Sequence, residues 1–205
     1  MEIRILRYHY TNSYLIPTNS GWLMFDCDCA GSLPAFYKAL KSEGISVGEI
    51  NYLLISHFHP DHAGLAQDLK ELGISLIVME EQRKSLHVQD HFYEKAQDAH
   101  FKPISEKGNT YLACGKSRAF LKALGLSAEI LHTPGHSEDS ISLVLDGQAV
   151  FHGDLPSYHL AEGYDNLKIR QSWYAILEKE PQKAYSGHWP VLNLLESPAE
   201  IQKIA

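Results

Sequence analysis

Ser56-His57-Phe58-His59-Pro60-Asp61-His62-Ala63-Gly64 follows directly on the apolar run Tyr52-Leu53-Leu54-Ile55. The run reads as a buried strand, so three histidines and an aspartate crowd its C-terminal end. If the strand direction persists, His57 and His59, two apart, project to one side and can share one ion. Pro60 then turns the chain. Asp61 is expected to cap a helix starting near His62, where the positive end of the helix dipole favours its ionised form. Asp61 and His62 thus approach the same cavity from a second backbone direction, which suits a second ion.

Further donors stand where other predicted strands end. His136 lies in Thr133-Pro134-Gly135-His136-Ser137, Asp154 in His152-Gly153-Asp154-Leu155, and His188 in Ser186-Gly187-His188-Trp189-Pro190. A glycine precedes each one, allowing a sharp turn or a close approach of backbone. Alone, a Gly-His or Gly-Asp pair says little; three of them at strand ends, added to the histidine cluster, point to a metal centre.

Around these motifs, apolar and β-branched runs mark strands at 3–8, 13–16, 22–25, 52–55, 74–79, 129–132, 141–145, 149–152 and 183–186. Helical spacing is expected from Ser32 to Gly44, from Leu65 to Gly73, over 116–124 and over 166–179. Asp146-Gly147 signals a hairpin. This order indicates an α/β fold of two packed sheets with helices outside, although a doubly wound sheet would produce a similar alternation. One domain, residues 1–205, is expected, with a helical excursion at 80–115 over the site.

Composition narrows the function. The chain has 205 residues, enough for a full core without disulfides. A net charge of −7 and no clustered basic field argue against nucleic-acid binding. Twelve histidines are an excess, and neutral imidazole is the commonest metal ligand. Cys27, Cys29 and Cys114 read as reduced packing groups, the Cys27/Cys29 pair having a redox or metal role as its alternative. With neither a secretory leader nor a membrane-length apolar run, a cytoplasmic location is expected, with no membrane partner. A homo-oligomer is compatible with all of this.

His57-Phe58-His59-Pro60-Asp61-His62 resembles the HxHxDH signature of the metallo-β-lactamase superfamily, and His136, Asp154 and His188 match its later ligand motifs in order. Phe25-Asp26 resembles the early aspartate that orients ligands, though Asp26-Cys27-Asp28 replaces the usual Asp-Thr-Gly or Asp-Ser-Gly and leaves Asp26 and Asp28 as alternatives. The resemblance runs from Asp26 to His188 and implies an αββα sandwich of the metallo-β-lactamase type. It implies one ion on His57, His59 and His136, a second on Asp61, His62 and His188, and Asp154 bridging them. Zinc is the first choice for these N/O donors, with iron or manganese compatible.

Two divalent ions bring four positive charges, of which Asp61 and Asp154 cancel two. A metal-bridging hydroxide fits that deficit and is the expected nucleophile, with Asp61 the catalytic proton acceptor. Within the superfamily the complete ligand set points to a dinuclear hydrolase of the glyoxalase II or lactonase-like branch, cleaving a small ester, thioester or lactone. The alternatives are a phosphodiesterase and a non-hydrolytic iron redox or sensor protein. Tyr93, Tyr158, Tyr164 and Trp173 are candidates to line the pocket, each with packing or surface as the plainer reading. His132 and His152 are candidates to support ligands. His87 and His91 form a surface clip or a solvated face, and His9, His100 and His159 have no assigned role.

Overall fold

A computed structural model describes residues 2–157 and 166–194; Tyr158, His159 and Tyr164 lie outside the described residues. The chain divides into two compact units, Met1–Leu112 and Ala113–Ala205.

The first unit is built on strands β1 (Arg4–Arg7), β2 (Asn12–Thr18), β3 (Gly21–Phe25), β4 (Ile50–Leu54), β5 (Ser75–Met79) and β6 (Thr110–Leu112), which form one sheet in chain order. The β1–β2 and β2–β3 pairs are antiparallel, while β3, β4, β5 and β6 run parallel. Helix α1 (Leu33–Glu43) forms the β3–β4 crossover. It buries Phe36 and Leu40, has Pro34 in its first turn, and closes on Gly44 at φ 69°, a left-handed cap that glycine adopts without a Cβ clash. Two short helices, α2 (Pro60–Ala63) and α3 (Ala66–Glu71), follow β4. Leu15, Met24, Phe36, Leu53, Phe58 and Leu76 are among the side chains that fill the core. Register decides the rest: Phe25 pairs with Leu54, and Asp26 N–H donates to Leu54 O at 3.0 Å, so the chain leaves two parallel strands at the same level.

The excursion after β5 contains a 3-10 turn at Glu80–Ser85, helix α4 (Asp90–Ala96) and the short strand β6. It is tied to the histidine loop of its own unit. The Gln82 amide donates to Ile55 O and Ser56 O, Gln89 donates to Ala63 O, and the Tyr93 hydroxyl donates to Pro60 O.

The second unit contains α5 (Ser117–Ala123), β7 (Ala128–His132), β8 (Ile141–Leu145), β9 (Ala149–Phe151), α6 (Leu167–Leu177), β10 (Lys183–Tyr185) and β11 (Leu192–Asn193). Its sheet runs β11-β10-β9-β8-β7, antiparallel except for β9–β10, the parallel pair connected through α6. Asn166 caps α6 by accepting from Lys168 N–H. The helix buries Ile169, Trp173 and Ile176 against Val144, Val150 and Ala184. Phe151 pairs with Tyr185, so here too two parallel strands end side by side.

Two short strands, β6 and β11, fall where no strand is expected. Asp61 is not the helix cap. His59 occupies that position with extended backbone, Pro60 follows it, and Asp61 lies inside the first turn. The proline's fixed φ starts the helix two residues earlier than the expected cap allows.

Candidate metal centre

In the first unit the histidines are held by a buried carboxylate. Asp26 is fully buried and accepts from Ser56 N–H at 2.7 Å, Ser56 Oγ at 2.9 Å and His62 Nδ1 at 2.8 Å. Because a carboxylate only accepts, His62 carries its proton on Nδ1, and Nε2 keeps the lone pair a metal needs. Ser56 spends its one hydroxyl proton on Asp26, so the 3.0 Å contact with His57 Nδ1 runs from the imidazole to Ser56 Oγ. His57 is thereby fixed in the same tautomer. Its Nε2 lies 3.0 Å from His59 Nδ1, close to the roughly 3.3 Å that two nitrogens at zinc distances of about 2.0–2.1 Å would subtend tetrahedrally. His62 Nε2 lies 3.7 Å from Asp61 Oδ2. This unit therefore carries four of the expected ligands on one loop, and their chemistry fits divalent metal.

Asp26, and not Asp28, is the aspartate that holds the histidine loop. Asp28 is also buried, but its carboxylate accepts from the backbone N–H groups of Tyr10, Thr11 and Cys29 and contacts His9 Nδ1 at 3.3 Å. It fastens the β1–β2 connection, from which Thr11 Oγ1 donates to Asp61 O at 2.6 Å. Cys27 packs in the core and donates N–H and S–H to His62 O, at 2.9 and 3.3 Å. Burial pushes its thiol well up, which keeps it protonated and inert. Cys29 is half-buried, and burial followed by the Asp28 charge pushes it up to about 12.

The second unit carries the other three expected ligands. The paired ends of β9 and β10 launch His152-Gly153-Asp154 and Ser186-Gly187-His188, cross-linked by His152 N–H to Tyr185 O at 3.0 Å and Gly187 N–H to Gly153 O at 2.8 Å. His136 sits in the β7–β8 connection, closed by Thr133 N–H to Ser140 O. At Gly135 a Cβ would stand 2.7 Å from Ile169 Cγ1 and φ is 154°, so no larger residue fits beside α6. As a result Asp154 Oδ2 lies 3.7 Å from His136 Nε2 and 3.4 Å from His188 Nε2. A cavity of about 600 Å³ opens over these side chains, with Leu155, Ser157 and Trp189 also on its wall.

Other candidates have structural duties. The Tyr93 hydroxyl is spent between Pro60 O and Ala30 N–H, both at 3.0 Å. Trp173 is fully buried and donates Nε1–H to Pro156 O at 2.7 Å. His132 bonds Glu138 O at 2.7 Å on the surface, and His87 pairs with Asp90 at 3.0 Å. Sequence reasoning had no means of finding Ser56 as the link between Asp26 and His57; a serine before the first histidine carries no signal by itself. Among the described residues no helix is long and apolar enough to cross a membrane.

Comparison with known proteins follows the same lines. A family model described as Metallo-beta-lactamase superfamily matches residues 6–158. An atrochrysone carboxyl ACP thioesterase of Aspergillus fumigatus is 25% identical over 199 residues, covering 94% of this chain and 40% of that protein. One from Passalora fulva is 27% identical over 192 residues, 90% of this chain and 50% of that protein. The chain thus spans half or less of these curated relatives. Among solved structures, a metallo-beta-lactamase family protein from Thermus thermophilus superposes with TM-score 0.73 at 18% identity, covering 98% of this chain and 76% of that one. TTHA1623, in a di-iron-bound form, gives 0.71 at 22% identity, covering 98% of each. These likenesses show the α/β fold of that type, consistent with the expected αββα sandwich.

Proposed function

This chain belongs to the metallo-beta-lactamase superfamily, and from that premise we propose that it is a dinuclear metal-dependent hydrolase whose substrate is a small acyl thioester. Residues 1–205 act as one catalytic domain, with the 80–115 segment over its mouth. His57, His59 and His136 would hold one divalent ion and Asp61, His62 and His188 the other, with Asp154 as the ligand they would share. Zinc is the first choice, with iron or manganese compatible with the donor set. The observation that carries the reading is the Asp154 carboxylate oxygen flanked by two imidazole nitrogens at 3.4 and 3.7 Å. An oxygen in that position is what a shared ligand requires.

Such ions, when bound, polarise a carbonyl and lower the pKa of water to about 7. The protein's share is positioning and proton transfer. Asp26 and Ser56 hold His57 and His62 with their lone pairs outward, so no side-chain reorganisation is needed during the reaction. Asp61, with its side chain a third exposed, is the carboxylate we assign to accept the proton of the attacking water and return it to the leaving thiolate. Thr11 fixes the Asp61 backbone for that role.

Thioesters take precedence over lactones, other esters and phosphodiesters because the named relatives are thioesterases. The test measures bound metal, then assays thioesters, lactones, phosphodiesters and β-lactams with intact, chelator-treated and Asp61→Asn protein. Thioester turnover that disappears with the metal is expected. Undiminished turnover by metal-free protein would overturn the reading, and iron with an oxidant-sensitive spectrum and no hydrolysis would favour a redox protein.

A further inference from the structure

Beside the cavity that holds Asp154 lies a second one of about 300 Å³, in the same unit, walled by Leu155, Trp173, Ala184 and Val191, with His152 on its lining and Trp189 at its rim. The two cavities share Leu155, Ser157 and Trp189, so a ligand can occupy both at once. We propose that the smaller cavity is the acyl pocket of the hydrolase, and that it takes a single aromatic ring bearing one hydroxyl or carbonyl that hydrogen-bonds His152 Nδ1. This rests on the hydrolytic reading above and adds the substrate class.

His152 supplies the first argument. The residue is 6% exposed, and Nδ1 has no hydrogen-bond partner among the described residues. A buried polar atom in that condition has lost its water without replacement, a cost that a ligand with a matching group removes. The imidazole is fixed edge-on to Trp173, centroids 5.2 Å apart, so its direction is set before a ligand arrives. An imidazole nitrogen can pair with either a hydroxyl or a carbonyl, depending on which tautomer the ring takes.

The shape supplies the second. About 300 Å³ equals roughly ten water volumes of about 30 Å³ each, which accommodates a benzoyl group and excludes a long fatty chain. Two indoles and an imidazole favour a planar ring over a flexible aliphatic one. Trp189 is 73% exposed, while its backbone is pinned by Ser186 Oγ, which accepts from Trp189 N–H at 2.9 Å. A large ring held in water at the junction of two cavities is a platform for stacking a substrate. With the ring seated, water adds its oxygen to the acyl carbon, the carbon–sulfur bond breaks, and acid and thiol leave.

The test compares N-acetylcysteamine thioesters of acetate, benzoate, 4-hydroxybenzoate and palmitate. Wild type is expected to prefer the hydroxybenzoyl ester, and the ratio of hydroxybenzoyl to acetyl kcat/KM should fall at least tenfold in Val191→Trp, which fills the pocket, and in His152→Leu, which removes the polar group. Val191 is only partly buried, so its variant guards against a folding failure at His152. Separately, 4-hydroxyacetophenone should quench tryptophan fluorescence of the intact protein saturably, with affinity reduced in both variants. Turnover with unchanged ratios, or quenching that neither variant alters, would overturn the pocket and leave the hydrolase standing. Specific quenching with no thioester turnover would support the pocket and overturn the hydrolase.

Discussion

Asp26 and His62 meet at 2.8 Å, both fully buried, although 36 residues separate them along the chain. The contact exists because β3 and β4 end level with one another, which puts the residue after one strand beneath the loop after the other. Replacing Asp26 with asparagine keeps the shape but offers His62 Nδ1 an amide that can turn a donor toward it. Metal affinity should fall roughly 10–100-fold, measured by competition with a chromophoric chelator, while far-ultraviolet circular dichroism shows the fold retained. Unchanged affinity would remove Asp26 from the site.

Asp154→Ala should abolish binding of at least one equivalent of metal. Metal added to chelator-treated wild type should raise the melting temperature, since binding the native state at a free concentration a thousand times Kd stabilises it by about 4 kcal/mol. Calorimetry of Asp154→Ala should show much less of that gain. An equal rise in both proteins would place the stabilising ion elsewhere.

Gly64 closes α2 where a Cβ would lie 2.2 Å from Ala30 N and 2.6 Å from both the Cys29 carbonyl carbon and Pro60 O. These are backbone atoms, and a backbone cannot swing aside as a side chain can. Gly64→Ala should therefore cost about 1–3 kcal/mol or more in urea unfolding. A cost below half of one would show that the loop yields.

Arg118 donates to Asp146 at 2.6 and 3.2 Å and to Glu129 at 2.7 Å. The guanidinium holds the Asp146 carboxyl below its ordinary value. Since the folded pKa is the lower one, the contribution is complete above the unfolded value of about 3.9 and fades as pH drops through the folded one. Arg118 is nearly half exposed, so Arg118→Ala should lose only about 0.5–1 kcal/mol at pH 7. That difference should shrink below pH 4 and in 1 M salt; a deficit that is flat from pH 7 to 3 would assign it to packing.

The histidine loop, the order of strands and the three glycine-preceded donors were legible because each depends on local chemistry: apolar periodicity, turn residues and metal-binding side chains. What escaped depends on pairing across the chain. Thr110-Tyr111-Leu112 is a strand only because Met79 and its neighbours offer a parallel edge, and three half-buried residues carry no period of their own. Leu192–Asn193 is recruited by Lys183–Ala184 in the same way. Asp26 and Asp28 look equivalent in sequence; the level ending of β3 and β4 is what gives one to His62 and the other to Tyr10 and Thr11.

The Asp28 clamp ties the amino-terminal hairpin to the histidine loop. Shortening the protein to Asn12 would spare every proposed ligand yet delete two of the three amides that Asp28 grips and the hydroxyl that steadies the Asp61 carbonyl. Seven donors would survive on paper, with one buried carboxylate robbed of its hairpin amides and Asp61 loosened from its mooring.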